Sequence, residues 1–354
     1  MKILITGTAG FIGHFAALSF VKQGFEVVGL DNINHYYDPE LKFGRLQEQG
    51  FVREEVKEAT RITSKKYEKL HFIKCTLEDE TTMNKLFEDE QFDYVCHLAA
   101  QAGVRYSIEN PKAYVQSNIV GFLNIIENCR HHKIKHLVFA SSSSVYGLNK
   151  SMPFNTADHT DHPVSLYAAT KKSNEMMAHT YAHLYNIPMT GLRFFTVYGP
   201  WGRPDMAPFL FTDAAFNNRP IKVFNNGNMF RDFTYVGDIV EGISRVVQKP
   251  PRPNPEWENT TPNPATSSAP YQLFNIGNHE PVRLLDFIEA IEKASNITIE
   301  KLMYPMQDGD VQFTYADIES FMQYTGYKPQ TKLQDGIDAF VTWYKEFYRW
   351  VLPA

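Results

Sequence analysis

The feature that most constrains the fold is a glycine-rich turn near the amino terminus, Gly7-Thr8-Ala9-Gly10-Phe11-Ile12-Gly13. The apolar run at residues 2–5 precedes this turn and predicts a short buried strand. Apolar residues spaced along residues 11–21 predict a helix that packs against a sheet. Residues 25–30 then predict a second strand, which ends at Asp31. This order predicts one β-α-β unit with a carboxylate about twenty residues after the turn.

The chemistry of such a turn indicates a dinucleotide-binding site. Glycines let the main chain approach a pyrophosphate closely, and the amino terminus of the following helix adds partial positive charge there. Asp31 can accept hydrogen bonds from both hydroxyls of an adenosine ribose, whereas it would repel a 2′-phosphate. The sequence therefore predicts a site for NAD rather than NADP.

Further along the chain, strand-like apolar runs alternate with helical patterns. Predicted strands are residues 70–75, 94–100, 136–140 and 189–194, and predicted helices are residues 79–87, 118–130, 165–185 and Leu333–Arg349. Residues 249–270 are rich in Pro, Asn, Ser and Thr and predict an exposed loop. Such alternation is typical of an α/β fold with a Rossmann-type, doubly wound parallel sheet. We expect a smaller α/β lobe towards the carboxyl terminus.

Length and charge exclude several classes of protein. The 354 residues are enough for two lobes with a sizeable core. A formal net charge of -5 argues against a large nucleic-acid interface, which needs a basic face. No apolar run is long enough for a membrane span, and a signal-peptide pattern is missing. We therefore expect a cytoplasmic protein with no nucleic-acid or membrane partner.

The cysteines and histidines have no metal-binding spacing. Cys75, Cys96 and Cys129 lie in apolar stretches without a C-x-x-C pattern, which predicts buried free thiols. His131, His132 and His136 cluster around a predicted helix end, where no carboxylate pairs with them at a suitable spacing. We expect no metal site.

A tyrosine and a lysine offer candidate catalytic chemistry. Tyr167 and Lys171 are four residues apart in a predicted helix, so they share one face. An ammonium beside a phenol stabilises the phenolate and lowers its pKa from about 10 towards neutrality. Tyr167 is therefore a candidate base for a hydroxyl proton, and Lys171 can also hold a nicotinamide ribose. The alternative is a surface tyrosine resting on a lysine side chain, but the serines at 141–144, which end a predicted strand, favour catalysis.

Together, these residues resemble the extended short-chain dehydrogenases/reductases that act on nucleotide sugars. The matching segments run in family order over nearly the whole chain and are Thr6-Gly7-x-x-Gly10-x-x-Gly13, Asp31-Asn32, His97-Leu98-Ala99-Ala100-Gln101, Ser142 with Val145-Tyr146-Gly147, Tyr167-x-x-x-Lys171, Arg193-Phe194-Phe195 and Arg231-Asp232-Phe233. Within this family the chain is most similar to the UDP-glucuronate 4-epimerases. Residues 31–38, 100–107 and 195–207 carry that similarity.

The resemblance implies which residues contact NAD and which contact a UDP-sugar. The cofactor residues are Gly7, Gly10, Phe11, Ile12, Gly13, Asp31, Asn32, Asn34, Thr76, Leu77, Leu98, Ala99, Ala100, Gln101, Tyr167 and Lys171. The substrate residues are Arg105, Ser142, Ser143, Ser144, Thr196, Arg203, Arg231 and Asp310. We also expect an NAD-binding domain of residues 1–190, to which the chain returns around 232–276. Residues 191–231 and 277–354 would form the UDP-sugar-binding lobe.

The resemblance implies catalysis by hydride shuttling. Ser142 matches the family serine or threonine that hydrogen-bonds the sugar O4, and Tyr167 removes the O4 proton while hydride passes from C4 to NAD. The 4-keto sugar turns over in the site and hydride returns to its other face. After that serine, 4,6-dehydratases carry an Asp-Glu pair and decarboxylases a glutamate. Ser143 and Ser144 replace those carboxylates here, which favours plain epimerisation.

Two further residues match the family's contacts to a sugar carboxylate. A ketone at C4 turns glucuronate into a β-keto acid, which loses carbon dioxide when its carboxylate aligns with the carbonyl. Thr196 supplies a hydroxyl and Arg203 a guanidinium fork that can hold the carboxylate out of alignment. Galactose-type 4-epimerases have an asparagine at the Thr196 position. For Arg203 the alternative is a loop arginine in solvent.

Arg231 matches the family arginine on the UDP phosphates, but two other positions depart from the family pattern. Gln307 stands near Asp310 where the family often has an arginine, and it supplies no charge. Cys75-Thr76-Leu77 replaces the usual Gly-Asp-Leu, so we expect a looser hold on adenine with Thr76 as the donor.

The main expectation is a UDP-glucuronate 4-epimerase that keeps NAD bound and dimerises through apolar stripes on helices at 112–130 and 166–185. Three alternatives stay open: a 4-epimerase of neutral UDP-hexoses, a UDP-glucuronate decarboxylase or a dehydratase, and an NAD-binding sensor without turnover. The presence of Ser142, Tyr167 and Lys171 together argues against the sensor.

Overall fold

The computed structural model describes residues 1–306 and 312–348, and the contacts within the chain divide it into two units. The first unit contains residues 1–150, 156–194 and 240–275. The second unit contains residues 151–155, 195–239 and those from 276 onward. The assignment of NAD and a UDP-sugar to separate lobes stays a prediction.

Strands and helices alternate along both units. The strands are β1 (Lys2–Thr6), β2 (Glu26–Asp31), β3 (Arg61–Thr63), β4 (Leu70–Lys74), β5 (Tyr94–His97), β6 (His136–Ser142), β7 (Met189–Phe194), β8 (Thr196–Tyr198), β9 (Ile221–Val223), β10 (Phe230–Tyr235), β11 (Tyr271–Ile276), β12 (Pro281–Arg283), β13 (Lys301–Met303) and β14 (Phe313–Thr314). The helices are α1 (Phe11–Lys22), α2 (Pro39–Glu48), α3 (Glu80–Glu90), α4 (Tyr106–Glu109), α5 (Pro111–Tyr114), α6 (Gly121–His131), α7 (Leu166–Tyr185), α8 (Ala207–Phe216), α9 (Val236–Val247), α10 (Leu284–Ser295), α11 (Glu319–Thr325) and α12 (Leu333–Phe347). A π-helical segment, Val115–Val120, lies between α5 and α6. None of the helices in the described residues is long and apolar enough to cross a membrane.

Eight of these strands form one sheet, in the order β11-β7-β6-β5-β1-β2-β4-β3. Strand β1 pairs in parallel with β2 on one side and with β5 on the other. The pairs β2–β4, β5–β6 and β6–β7 are parallel as well. The chain order therefore reverses at β1, because β2 and β4 extend the sheet one way and β5, β6 and β7 extend it the other way. The predicted Rossmann-type, doubly wound α/β fold is confirmed.

The central strands are buried on both faces of this sheet. Consecutive residues of a strand point to opposite faces, and the consecutive residues Ile3, Leu4 and Ile5 of β1 are all inaccessible to solvent. The same holds for Leu137, Val138 and Phe139 of β6. Such runs without polar alternation are typical of parallel strands, which explains why the sequence pattern located them well. All three cysteines are free and buried, as predicted.

The structure differs from the sequence predictions at three places in the first unit. Strand β3 pairs antiparallel with β4 at the edge of the sheet. It was not predicted, because only one of its three residues is apolar and all three are at least partly exposed. The strand predicted at 94–100 ends at His97, since the next residues turn towards a side chain of β1. The helix predicted at 118–130 begins as the π-helical segment and continues as α6.

The second unit is a smaller α/β assembly. Strand β10 pairs antiparallel with β12 and in parallel with β14 and β8, while β9 pairs with β13. Helices α10 and α12 pack together through buried apolar residues such as Ile288, Ile291, Ile337 and Phe340. The helix predicted at Leu333–Arg349 is α12, which ends at Phe347, and Arg349 lies outside the described residues.

Candidate functional site

The glycine-rich turn lies where the chain order of the sheet reverses. Gly7 has a φ of 81°, and a Cβ there would lie 2.9 Å from the main-chain nitrogen of Ala99. A Cβ on Gly13 would lie 2.1 Å from the carbonyl oxygen of Gly7. Only glycine at both positions lets β1, α1 and the segment after β5 pack this closely. Gly10, at the N-cap of α1, has no side chain to cap the first N–H groups of the helix. Those groups and the helix dipole suit the pyrophosphate of NAD.

At the carboxyl end of β2, the buried Asp31 accepts a hydrogen bond from the main-chain N–H of Ile33 at 2.8 Å. Lys42 of α2 is also buried, and its Nζ donates to Asn34 Oδ1 at 2.7 Å. Burial lowers the pKa of Lys42, and the negative charge of Asp31 opposes that effect. Asn32 accepts a hydrogen bond from the N–H of Asn34 at 3.1 Å. This end of the site thus holds an ammonium that the sequence analysis missed.

Two buried polar side chains, Arg45 of α2 and Gln49 at the C-cap of that helix, also support the glycine-rich turn. Arg45 Nη1 donates to the carbonyl oxygen of Ala9 at 2.8 Å, and Gln49 Nε2 donates to that of Thr8 at 3.0 Å. Both side chains are fully buried. Their partners lie more than thirty-five residues away along the chain, so no local sequence pattern predicts these contacts.

Thr6 connects β1 to the segment after β5. Its Oγ1 accepts hydrogen bonds from the N–H groups of Leu98 at 3.1 Å and Ala99 at 3.0 Å. Its own proton is therefore available to His97 Nδ1, which lies 2.9 Å away. That arrangement fits a neutral imidazole with its proton on Nε2. Burial, followed by the charge of Lys171, lowers the pKa of His97 to about 3.

Asn118 of the π-helical segment connects the same segment to α7. Its Oδ1 accepts from the N–H of Gln101 at 2.8 Å, and its Nδ2 donates to the Gln101 carbonyl at 3.1 Å. The same Nδ2 lies 3.1 Å from Thr170 Oγ1 on α7. The main chain at Gln101 is thereby held on both sides. This role of Asn118 was not predicted, because the sequence shows only a single polar residue in a predicted helix.

Helix α7 carries the predicted tyrosine and lysine. The helix begins after Ser165, whose Oγ accepts from the N–H of Ala168 at 3.1 Å. Tyr167 is half-buried, and Lys171 is buried one turn further along the same face. Lys171 Nζ donates to the carbonyl oxygen of Ala140 on β6 at 3.0 Å. Burial lowers the pKa of Lys171 to about 8, so the ammonium predominates at pH 7.

Ser142 ends β6, in register with Phe194 of β7. A short 3₁₀ helix, Ser143–Tyr146, follows it directly. Ser142 Oγ accepts from the N–H of Ser144 at 3.2 Å and lies 2.9 Å from Ser144 Oγ. The end of β6 therefore carries Ser142 and, two residues earlier, the Ala140 carbonyl that binds Lys171 of α7. Tyr167 lies on the same helix as Lys171.

The predicted adenine contacts follow β4. The hydroxyl of Thr76 donates to the Glu78 carboxylate, so it is already engaged in this structure. Leu77 is buried, and its carbonyl accepts from Asn124 Nδ2 at 2.9 Å. Among the cofactor residues on the turn and the β5 segment, Phe11 is buried while Ile12 and Ala100 are half-buried. The role of Thr76 stays a prediction.

The remaining predicted substrate residues divide between the two units. Arg105 is exposed at the start of α4 in the first unit. In the second unit Thr196 begins β8, and Arg231 of β10 donates from Nη1 to the carbonyls of Phe230 at 2.9 Å and Gln312 at 3.2 Å. Asp310 and Gln307 lie outside the described residues.

Arg203 is paired within its own loop. Its Nε donates to Asp205 Oδ1 at 3.0 Å and its Nη2 to Asp205 Oδ2 at 2.5 Å. The guanidinium thus holds a carboxylate of the chain at two points, and its role towards a sugar carboxylate stays a prediction. In residues 1–306 and 312–348, no group of three or more His, Cys, Asp and Glu side chains is placed to hold a metal ion.

Comparison with known proteins identifies the family. Residues 3–259 match the NAD dependent epimerase/dehydratase family. The chain belongs to this family. Its membership confirms the predicted enzyme class and NAD as the cofactor on which the family depends.

Relatives within the NAD dependent epimerase/dehydratase family match the chain from end to end. Protein CapI of Staphylococcus aureus is 56% identical over 349 residues, which are 99% of this chain and 100% of CapI. The probable UDP-glucuronate 4-epimerase of Rhizobium meliloti is 45% identical, over 99% of this chain and 98% of that protein. The crystal structure of a Bacillus cereus UDP-glucuronic acid 4-epimerase with UDP-glucuronic acid and NAD has a TM-score of 0.80 at 31% identity, covering 98% and 100%.

The low pKa of His97 predicts a pH dependence of stability. An unperturbed histidine binds a proton near pH 6.5, whereas folded His97 binds one only near pH 3, so the unfolded chain binds more protons between these values. The free energy of unfolding should therefore fall by about 1.4 kcal/mol per pH unit below pH 6.5 through this group alone. His97→Asn keeps a polar partner for Thr6 and should reduce that slope by this amount in urea denaturation between about pH 4 and 5.5, where unfolded histidine is protonated and folded His97 is not. Equal slopes in the variant and the wild-type protein would contradict the burial argument.

Proposed function

We propose that this chain is a UDP-glucuronate 4-epimerase that interconverts UDP-glucuronate and UDP-galacturonate with bound NAD. The observation that carries the proposal is the end of β6, where Ser142 is followed by Ser143 and Ser144. Elimination and decarboxylation would need an acid or base that serine does not supply. The similarity to the Rhizobium meliloti and Bacillus cereus proteins supports a uronate as the sugar.

In this proposal, the chain's own residues hold the cofactor. The pyrophosphate lies at the glycine-rich turn and the amino terminus of α1, and Asp31 accepts from the adenosine ribose. The buried Lys42 beside Asp31 adds a donor at the same end. NAD supplies a reversible hydride acceptor for C4 of the sugar when it is bound.

One proton moves between the sugar O4 and Tyr167. Ser142 hydrogen-bonds O4 and orients it, and Tyr167 accepts its proton. The Lys171 ammonium stabilises the phenolate form of Tyr167 that accepts this proton, since the Ala140 carbonyl holds Lys171 in place and the neutral His97 adds no competing charge. After the transfer Tyr167 is a neutral phenol. Once C4 has regained hydride on its other face, return of the same proton to O4 restores the phenolate and completes the epimerisation.

Thr196 and Arg203 restrain the sugar carboxylate in this proposal. Asp205 holds the Arg203 guanidinium in a planar two-point pair, which is the geometry that a uronate carboxylate also uses. The hydroxyl of Thr196 supplies a second donor. Holding the carboxylate out of line with the C4 carbonyl prevents loss of carbon dioxide. A neutral hydroxymethyl group would not use this fork, which is why we place UDP-hexoses second.

Chromatography of the nucleotide sugars formed from UDP-glucuronate, and separately from UDP-glucose, tests the function directly. Formation of UDP-galacturonate without release of carbon dioxide is the expected result. Carbon dioxide with a UDP-pentose would identify a decarboxylase, and conversion of UDP-glucose alone would identify a neutral-hexose epimerase. Bound NAD with no conversion of either sugar would identify the sensor.

Tyr167→Phe removes the base and leaves the ring that packs near Tyr114. We expect a loss of turnover of at least about 100-fold with NAD still retained, because the proton has no acceptor. NAD released on denaturation and the rate of UDP-galacturonate formation measure the two effects. Tyr181→Phe, on the same helix but bonded to Glu127, is the matched control and should keep wild-type turnover. Near-normal turnover in Tyr167→Phe would reject Tyr167 as the base.

Arg203→Ala should weaken binding of UDP-glucuronate by about 10- to 100-fold, since it removes a charge-assisted, two-point contact. Carbon dioxide release should rise, because the carboxylate is no longer restrained. KM for UDP-glucuronate and radiometric carbon dioxide capture measure these changes. Arg219→Ala removes another surface arginine paired with an aspartate in the same unit and serves as control. Unchanged kinetics in Arg203→Ala would remove this residue from the site.

We further propose that the enzyme acts in the cytoplasm as a homodimer. Buried free thiols suit a reducing compartment. Apolar side chains are exposed along the π-helical segment, α6 and α7, with exposed fractions of 43% at Val115, 40% at Leu123, 50% at Met176 and 61% at Leu184. Such a stripe on two neighbouring helices is suited to pairing with its copy.

Light scattering should give twice the mass of the chain for the wild-type protein. The double variant Leu123→Glu/Met176→Glu should give the monomer mass, because charges on the stripe oppose its burial. The pair Leu148→Glu/Val164→Glu, at exposed apolar residues outside these helices, is the control and should stay dimeric. A monomeric wild-type protein would reject the dimer.

A further inference from the structure

A fully buried ion pair lies beside the predicted catalytic residues in the first unit. Arg193 of β7 donates from Nε to Glu175 Oε1 at 2.8 Å and from Nη2 to Glu175 Oε2 at 2.9 Å. Neither side chain is accessible to solvent. Burial opposes the charge of Glu175, but Arg193, Lys172 and Ser141 hold the pKa of its carboxyl below the ordinary value. A charged pair is therefore maintained in the interior.

This pair joins the elements that carry the predicted catalytic residues. Glu175 is on α7, four residues after Lys171 and eight after Tyr167, on the same helical face. Ser141, the neighbour of Ser142, donates from Oγ to Glu175 Oε1 at 2.7 Å. Ser141 is also the register partner of Arg193. One carboxylate thus binds side chains from both β6 and β7.

Further contacts hold the Arg193 guanidinium and the main chain at Glu175. The Arg193 guanidinium lies 4.9 Å from the ring centre of Tyr146, whose hydroxyl donates to Asn275 Oδ1 at 2.7 Å. The hydroxyl of Tyr271 donates to the main-chain carbonyl of Glu175 at 3.2 Å. Tyr271 and Asn275 belong to β11, so the network reaches the strand that forms one edge of the sheet.

The attachments of α7 to β6 come from two successive turns of the helix. Lys171 binds the carbonyl of Ala140, and Glu175 binds the hydroxyl of Ser141. One attachment would let the helix rotate about the contact, whereas two fix both its rotation and its position along the strand. A buried ion pair adds little net stability relative to an apolar pair of the same size, so geometry is the property it supplies here.

We propose that Glu175, Arg193 and Ser141 are positioning residues that fix α7 against β6, and thereby hold Tyr167 and Lys171 in reacting geometry with Ser142. This inference rests on the proposed function, because its measure is turnover. None of the three residues contacts the sugar or NAD in this mechanism. They act through the elements to which they are bound.

The double variant Glu175→Leu/Arg193→Met tests position separately from stability. Replacing both charges by apolar side chains leaves neither charge unpaired and removes only the acceptor of Ser141, so the protein should stay folded with a melting temperature close to that of the wild type. We expect kcat to fall by about 100-fold, since misplacement of reacting groups by about 1 Å has that effect. KM for the UDP-sugar and the amount of NAD retained should stay within about twofold of wild type, because the variant leaves the glycine-rich turn, Asp31, Thr196 and Arg203 unchanged. A folded double variant with wild-type kcat would overturn the proposal.

Ser141→Ala provides a second test that leaves the ion pair intact. It removes one attachment of β6, and we expect kcat to fall by about tenfold with KM and NAD retention unchanged. Thr190→Val is the matched control, because Thr190 is a buried hydroxyl on β7 that bonds His136 Nε2 at 2.9 Å, at the opposite end of the strand. It should lower the melting temperature and leave kcat unchanged.

The outcomes also separate this proposal from the proposed function. Wild-type kcat in Ser141→Ala overturns the positioning role whether or not the double variant folds. So does a loss of turnover that is matched by loss of NAD or by an equal loss in Thr190→Val. If the wild-type protein converts UDP-glucose and not UDP-glucuronate, the proposed substrate is wrong. The kcat and KM of each variant relative to wild type are then measured with UDP-glucose.

Discussion

Direct packing of main chain on main chain at the start of the sheet is the constraint on which this structure depends. Gly7 approaches the nitrogen of Ala99, and Gly13 approaches the carbonyl of Gly7, at distances that leave no room for a Cβ. This packing brings three features to the carboxyl ends of the central strands β1, β2 and β5. They are the uncapped amino terminus of α1, the Asp31 carboxylate and the segment after β5. Arg45, Gln49 and Thr6 then hold the same main chain through buried hydrogen bonds. The close packing of the backbone, more than any single side chain, makes this part of the chain suitable for a dinucleotide.

Buried charged groups lie beside the carboxyl ends of these strands. Lys171 keeps an ammonium in the interior with the Ala140 carbonyl as partner, and the neighbouring imidazole of His97 stays neutral. Lys42 lies near the carboxylate of Asp31, and Arg193 binds Glu175 at two points. Interactions between such groups are stronger in the interior than in water, and they also cost more when a partner is absent. Each ammonium or guanidinium therefore has a fixed position, which a proton transfer between a sugar hydroxyl and Tyr167 requires.

In the proposed function, Thr196 and Arg203 of the second unit are the residues assigned to the sugar carboxylate. Arg203 already holds a carboxylate, that of Asp205, in a two-point pair. A uronate can exchange with Asp205 there without a new buried charge, because Asp205 remains partly accessible to solvent. The predicted substrate residues at the end of β6 and at the start of the 3₁₀ helix after it are serines, which offer no such fork. Chemistry at C4 and recognition of the carboxylate thus rest on different kinds of residue.

By itself, the sequence determined the buried parallel strands, the glycine-rich turn with Asp31, the shared helical face of Tyr167 and Lys171, and the family, because all of these are carried by local periodicity and short spacing. It did not reveal β3, whose pairing depends on a neighbouring strand, nor the π-helical start of α6. Only the tertiary structure decided that Lys42, Asn118 and the Glu175–Arg193 pair belong near the site. Their partners lie at sequence distances that no local pattern encodes. A polar residue in a predicted helix gives the same sequence pattern whether its side chain is exposed to water or bonded to another buried group. Only the packing of the folded chain determines which of the two occurs.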